Sequence, residues 1–107
     1  YDFSKFTNLE TLNLKHAKYL TSEQFNAIPI EAKGSIKHLD LSYVTVSDFD
    51  FSRFTNLKTL RLEYTFLTAE QFNSISPQAK ASIRHLNLTG VNTRGFSFSG
   101  ITGLITL

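Results

Sequence analysis

The sequence predicts an α/β fold in which short parallel strands stack side by side. Each copy of a repeated unit supplies two strands, and an unfinished copy supplies a fifth. Two matches within the chain support this prediction. The segment FSKFTNLETLNL at positions 3–14 returns as FSRFTNLKTLRL at positions 51–62. Between these copies, the segment at positions 20–42 matches the segment at positions 67–89. A unit of about 47 residues that occurs twice indicates stacked supersecondary units.

Within each unit a smaller motif occurs twice, an aliphatic residue followed by leucine three and five positions later. The motif starts at Leu9, Ile36, Leu57 and Ile83, and an unfinished fifth copy joins Leu104 to Leu107. The intervals between starts alternate between about 26–27 residues and about 21 residues, so long and short repeats alternate. Leucine alternating with polar residues is typical of a strand with one buried face. We therefore predict strands near residues 10–15, 37–42, 58–63, 84–89 and 105–107, with Thr106 beside His85.

The long repeats carry the signals of a helix start. Thr21 and Thr68 are each followed three residues later by glutamine, the pattern of a capping box. Helices are therefore predicted near residues 22–32 and 69–81. Pro29 is expected to end the first helix early, and Ser76-Pro77 to begin a second short turn. The short repeats lack such signals and are predicted to return as nearly extended chain packed by phenylalanines.

The LxxLxL spacing at these alternating intervals resembles the leucine-rich-repeat family over essentially the whole chain. The short units are similar to the LTNLxxL repeats of internalin-type bacterial proteins, and the long units to helix-bearing repeats of the ribonuclease-inhibitor class. This resemblance implies a right-handed solenoid with a parallel sheet on its concave face, and helices alternating with extended segments on its convex face. The asparagine that the family places three residues after the last leucine is absent here. That position holds Ala17, Val44, Thr65 and Val91.

Residues 1–107 are expected to form a single domain that is a fragment of a longer solenoid. Neither end has the polar capping repeat that such arrays generally need, and the predicted fifth strand is unfinished. We therefore expect the uncapped ends to continue into further repeats or to associate with other chains. No apolar run reaches the roughly 18 residues of a membrane span, and nothing in the sequence indicates a signal peptide or a compartment.

No pattern of side chains predicts catalysis, a cofactor or a metal site. The chain contains no cysteine, which removes thiolate chemistry. His38, Asp40 and Ser42 alternate along one predicted strand, but serine would lie roughly 13 Å from histidine, whereas a triad needs histidine between the other two. His38 and His85 would lie two strands apart, about 9.6 Å, which is too far to share a metal ion. We predict a protein that is not an enzyme.

The resemblance implies that residues between and just after the strand leucines line the concave face. His16, Tyr43 and Tyr64 would then lie side by side, a composition typical of binding hot spots. Asp40 and Arg61 are expected to pair across neighbouring strands. The predicted partner-binding residues are His16, Tyr43, Tyr64, His38, Arg61 and His85. The leading hypothesis is a module that binds a protein partner, and the likeness to internalins favours a bacterial surface or effector protein.

The sequence is also compatible with two other functions. The repeats could be a structural spacer with no ligand of its own. Alternatively, Lys37, Lys58 and Arg84, with Glu10 at one end, would form a basic stripe along the strand starts that could bind an acidic polymer weakly. The formal net charge of +2 is too small by itself to predict binding to nucleic acid.

Overall fold

The computed structural model describes residues 2–3 and 5–107, and within them the chain is α/β, with one parallel sheet and short helices. The strands are β1 Thr11–Asn13, β2 His38–Asp40, β3 Thr59–Arg61, β4 His85–Asn87 and β5 Leu104–Thr106. The helices are α1 Ser22–Asn26, α2 Ile30–Ser35, α3 Ala69–Asn73 and α4 Pro77–Ser82. The predicted parallel α/β arrangement is confirmed. No helix in the described residues is long and apolar enough to cross a membrane.

The strands lie in the sheet in their sequence order, and all neighbouring pairs are parallel. The central leucines of the first four strands pair in register and are buried. They are Leu12, Leu39, Leu60 and Leu86. Because successive side chains of a strand point to opposite faces, burying these leucines directs the residues on either side of each toward the outer face. We call that outer face the sheet face.

The fifth strand does not have the predicted register. Thr106 pairs with Asn87 rather than with His85, and Ile105 takes the place of the central leucine. The return from Leu86 to Ile105 is shorter than the return from Leu39 to Leu60, and this difference shifts the pairing. The predicted alignment of Thr106 with His85 is therefore wrong.

Two features of the last repeat explain the shifted register of β5. Gly103 lies so close to the backbone of residues 83–84 that a Cβ atom would collide with their carbonyl groups, so the absence of a side chain allows a tighter approach. Ile105 then turns toward the core and is partly buried, whereas Leu104, whose spacing suggested a core position, is 62% exposed. The leucine spacing of the sequence misassigned which aliphatic side chain points inward.

Two short helices stand in place of each predicted helix. They are α1 and α2 for residues 22–32, with α2 continuing to Ser35, and α3 and α4 for residues 69–81, with α4 continuing to Ser82. Both capping boxes are complete, because the hydroxyls of Thr21 and Thr68 accept from the backbone three residues later and the glutamines accept in return from the threonine N–H. Pro29 stands at the N-cap of α2 without a side-chain cap, whereas Ser76 caps α4 by accepting from the N–H of Ala79. The first helix of each stretch ends before the proline, and a second helix begins at or just after it.

Phenylalanine rings of the helices pack against phenylalanine rings of the extended returns. The ring of Phe25 stacks on Phe49 with centroids 4.4 Å apart, and Phe72 stacks on Phe96 at 4.6 Å. Phe51 is fully buried beside the first pair. Burying a side chain of this size contributes about 1.5–3 kcal/mol, so these rings supply much of the driving force for stacking the repeats.

Asparagines at the ends of α1 and α3 form hydrogen bonds with the extended return of the next repeat. These returns lead from β2 to β3 and from β4 to β5. Asn26 Nδ2 donates to the carbonyl of Asp48 at 3.0 Å, and its Oδ1 accepts from the N–H of Asp50 at 2.9 Å. Asn73 makes the same two bonds to the segment 95–97. The side-chain amides that bond the backbone of neighbouring repeats are thus present, but at the helix ends instead of in the turns after the strands.

Candidate partner-binding surface

His16, Tyr43 and Tyr64 form a continuous stack of rings shortly after β1, β2 and β3. The centroids of His16 and Tyr43 are 4.5 Å apart with planes inclined by 17°, and those of Tyr43 and Tyr64 are 5.2 Å apart at 23°. Tyr43 is 45% exposed and Tyr64 is 54% exposed. We call these three residues the ring row. The ring spacing matches the distance between strands, so each repeat contributes one ring.

The backbone holds each ring of the row in the same direction. His16, Tyr43 and Tyr64 have φ values of 65°, 64° and 53°, in the left-handed region that costs a residue with a side chain about 1 kcal/mol. Each of these residues also donates its N–H to a carbonyl after the next strand, at 3.0, 2.9 and 2.8 Å. These bonds continue the sheet beyond the strands and fix the strained turn, so the rings are positioned before any partner arrives.

Gly90 stands at the fourth position of the row, with a φ of 76°. A Cβ atom here would overlap the ring of Tyr64, which therefore lies directly over the glycine backbone. Within the described residues, the row runs from His16 to Tyr64 and ends at Gly90. Because the ring faces cover one another, a partner would meet the ring edges and polar tips.

His38, Arg61 and His85 lie on the sheet face, on β2, β3 and β4. His38 Nδ1 lies 3.1 Å from the hydroxyl of Thr59 on the neighbouring strand. A shallow hollow of about 110 Å³ lies beside His38 and Arg61, and one of about 280 Å³ lies beside Arg61 and His85. Arg61 and Thr59 line both hollows, so the three predicted residues belong to one continuous surface.

The predicted ion pair between Asp40 and Arg61 is wrong. Arg61 instead donates from Nε, at 3.0 Å, and from Nη2 to the same oxygen of Glu63. This hydrogen bonding raises the pKa of the Arg61 guanidinium, with a smaller contribution from the charge of Asp40. Asp40 accepts from the N–H of Ser42 at 3.0 Å and closes the turn after its own strand. Asp40 thus closes its own turn, whereas Glu63 is the acid that binds the guanidinium.

Glu63 is the residue of this surface that sequence reasoning missed. Besides Arg61, it accepts from Asn87 Nδ2 at 3.1 Å, and its N–H donates to the hydroxyl of Ser42 at 3.1 Å. Glu63 therefore links the second, third and fourth repeats beside the ring row. The available signal was the acid two residues after Arg61, at the position where the other repeats have Lys15, Ser42 or Thr89.

The predicted basic stripe is partly neutralised. Lys37 Nζ lies 3.2 Å from Glu10 Oε1, both at the surface. Lys58 is half-buried and Arg84 is exposed. Among the residues that the structure describes, no three histidine, aspartate or glutamate side chains gather closely enough to hold a metal ion.

Comparison with known proteins adds no relative. No protein-family model matches the chain, no curated protein matches it and no solved structure matches it.

Proposed function

We propose that this chain is a leucine-rich-repeat module that binds a protein partner through the ring row and the adjoining sheet face. Two features support the repeat assignment. The strands follow one another in sequence order with their central leucines in register, and their returns alternate between helical and extended. A repeat of this kind cannot bury its leucines alone, so each one depends on its neighbours.

The ring row is the observation that carries the binding proposal. Tyrosine offers a large apolar contact and a polar tip, and it is enriched in the residues that dominate binding energy. Its cost in binding is the loss of side-chain freedom on association. Here Tyr43 and Tyr64 are already ordered by stacking and by a strained backbone, so that loss occurs on folding rather than on binding.

The sheet face supplies a polar rim next to this aromatic contact. The Arg61–Glu63 pair leaves the arginine side chain 44% exposed, so it can still donate to a partner, and His38 and His85 lie on either side. An aromatic centre bordered by polar groups is the usual composition of a protein interface. We propose no enzymatic reaction for this surface, because no nucleophile on its described residues has a base and an orienting acid within reach.

The size of the sheet face limits its affinity. Five strands at a spacing of about 4.8 Å, each showing about 13 Å of its length, give roughly 300 Å², against about 800 Å² per partner in a stable complex. The sheet face alone should bind weakly. The ring row and the turns beyond it are therefore needed to complete a contact surface.

The experiment begins with a protein partner selected from a displayed library against the full chain. Affinity is then measured by titration calorimetry for the wild type and for Tyr43→Ala/Tyr64→Ala, which removes two rings. The expected loss is about 30-fold, the effect of losing a hot spot of about 2 kcal/mol. The Tyr43→Phe/Tyr64→Phe variant keeps the stack and tests the hydroxyls separately.

Tyr19→Ala is the matched control, because Tyr19 is an exposed tyrosine outside the row. It should change the affinity by less than about twofold. Circular dichroism and thermal melting establish that each variant is folded before binding is compared. Unchanged affinity in the double alanine variant would remove the ring row as the contact surface and favour a spacer that binds nothing through this face.

A further inference from the structure

Phe66 is held out in solvent by the residues on either side of it. Thr65 is buried and donates its hydroxyl to the carbonyl of Leu62 at 2.9 Å, while Leu67 is buried in the core. The side chain between them is 91% exposed. A single exposed phenylalanine does not by itself indicate a site. What distinguishes Phe66 is the surface beside it.

Two open grooves lie along opposite sides of Phe66. The first, of about 450 Å³, is formed with the turn after β4 and includes Gly90, Asn92 and Arg94. The second, of about 220 Å³, is formed with the turn after β2 and includes Asp48 and Glu70. Phe66 and Thr68 line both grooves, so the phenyl ring stands between two concave surfaces.

The grooves carry opposite charge. Arg94 is the charged residue of the first groove, and Asp48 and Glu70 are the charged residues of the second. The ion pairs found among residues 2–3 and 5–107 involve other side chains. Asparagine side chains hold the backbone at two of these residues: the N–H of Arg94 donates to Asn92 Oδ1 at 3.1 Å, and the carbonyl of Asp48 accepts from Asn26 Nδ2 at 3.0 Å.

We propose that Phe66 and its two grooves bind an extended segment of a protein partner in which a basic and an acidic residue flank an apolar one. The basic side chain lies toward Asp48 and Glu70, the acidic one toward Arg94, and the apolar residue covers Phe66. The turns that carry Asp48 and Arg94 follow strands two apart, about 10 Å. In an extended chain, alternate side chains share one face, so a basic, an apolar and an acidic residue at positions i, i+2 and i+4 span about 13 Å and can reach both turns.

This inference extends the proposed function to a second surface, and it rests on that function only in taking the partner to be a protein. The two surfaces meet at Gly90, which lies beneath Tyr64 and also lines the groove of Arg94. A partner that covered the ring row and continued over this glycine would reach Phe66. The added surface would offset the small area of the sheet face.

The test uses three short peptides with blocked ends and the full chain labelled with ¹⁵N. The bipolar peptide contains Lys-Ala-Leu-Ala-Glu, in which the charged and apolar side chains share one face of an extended chain, and the two like-charge peptides contain Lys-Ala-Leu-Ala-Lys and Glu-Ala-Leu-Ala-Glu. Titrations followed by NMR detect millimolar binding. The bipolar peptide should bind about fivefold more tightly than either of the others at low salt, because each like-charge peptide faces one repulsive groove. Shifted amides should lie in residues 45–48, 65–70 and 90–94.

Charge variants separate the two grooves. Arg94→Gln should abolish the preference over the Lys-Lys peptide, and Asp48→Asn/Glu70→Gln should abolish the preference over the Glu-Glu peptide. Asparagine tolerates the left-handed backbone of Asp48, whose φ is 63°. Phe66→Ala should weaken all three peptides, whereas Tyr19→Ala, at the equivalent exposed position of the first long repeat, should leave them unchanged.

The outcomes distinguish this site from the ring row. Loss of peptide binding in Phe66→Ala with normal binding in Tyr43→Ala/Tyr64→Ala supports the site at Phe66 whether or not the ring row binds a partner. Equal binding of the three peptides, or unchanged binding in Phe66→Ala, overturns the inference and leaves the ring-row proposal to its own test.

Discussion

The two copies of the repeated unit make the same ring contacts but bury them to different degrees. Phe49, stacked on Phe25 of the first copy, is 2% exposed, whereas Phe96, stacked on Phe72 of the second, is only partly buried. The first extended return lies between the helices of two long repeats, and within the described residues the second has helices on one side. Repeated sequence thus sets which rings meet, while the neighbouring repeat decides how much water they exclude.

The two copies of the unit also differ in the charged groups near an equivalent buried lysine. Lys33 and Lys80 are equivalent, both buried, and each donates from Nζ to a backbone carbonyl at 3.2 Å. Burial lowers the pKa of Lys33, and the nearby carboxylate of Asp50 partly opposes that effect. The second copy has Ser97 where the first has Asp50. The two units therefore differ in how they accommodate the same buried cation.

The two units should differ most in the free energy of unfolding that is lost when a phenylalanine of an extended return is removed. Phe51→Ala should lower the free energy of unfolding by about 3–5 kcal/mol, because Phe51 is fully buried. Phe98→Ala, the equivalent change in the second unit, should lower it by about half as much, because Phe98 already contacts water. Denaturant unfolding of both variants measures the ratio. Equal losses would show that burial by the neighbouring repeat does not control these contacts.

The hydrogen bonds of Asn26 and Asn73 should contribute equally to the free energy of unfolding. Asn26→Ala and Asn73→Ala each remove two hydrogen bonds to the following return, and each should cost about 1–2 kcal/mol. The same denaturation measurement applies. Asn56→Ala is the control, since Asn56 donates one such bond, to the carbonyl of Gly34, and should cost about half. A clearly smaller effect at Asn73 would mean that the second return is held more loosely than its bonds imply.

The smallest expected difference depends on pH. Hydrogen bonds from the hydroxyl and the N–H of Ser52 lower the pKa of Asp50, so the folded state favours the carboxylate. That stabilisation is present above the unfolded pKa of about 3.9 and is lost as pH falls through the lower folded pKa. Asp50→Asn should therefore reduce the loss of stability on acidification from pH 5 to pH 2. The change should be only about a few tenths of a kcal/mol, because Asp50 is exposed.

Ser97→Asp sharpens this comparison by giving the second unit the carboxylate of the first. It should make stability depend more steeply on pH over the same range, since Ser99 stands where the first unit has Ser52 and can donate to the new carboxylate. Stability measured at pH 2, 3, 4 and 5 for both variants and the wild type gives the slopes. A slope unchanged by Ser97→Asp would show that Ser99 does not supply the bonds that Ser52 gives to Asp50.

Local sequence rules account for much of the fold. The capping boxes at Thr21 and Thr68 depend on residues three apart, and leucine alternation depends on residues two apart, so both can be read from the chain directly. The adjacency of His16, Tyr43 and Tyr64 follows as well, because equivalent positions of stacked repeats must lie beside one another. The predicted register is wrong in the last repeat, because the sequence there allows either Leu104 or Ile105 to point into the core.

The sequence by itself determined the parallel α/β arrangement and the row of rings, because both follow from a period that each repeat obeys. Only the tertiary structure decided that Arg61 pairs with Glu63 instead of Asp40, and that grooves of opposite charge lie on either side of Phe66. The grooves depend on side chains from turns that are distant in the sequence, and the pairing of Arg61 depends on which carboxylate lies within its reach once the strands are stacked. No period in the sequence encodes that choice.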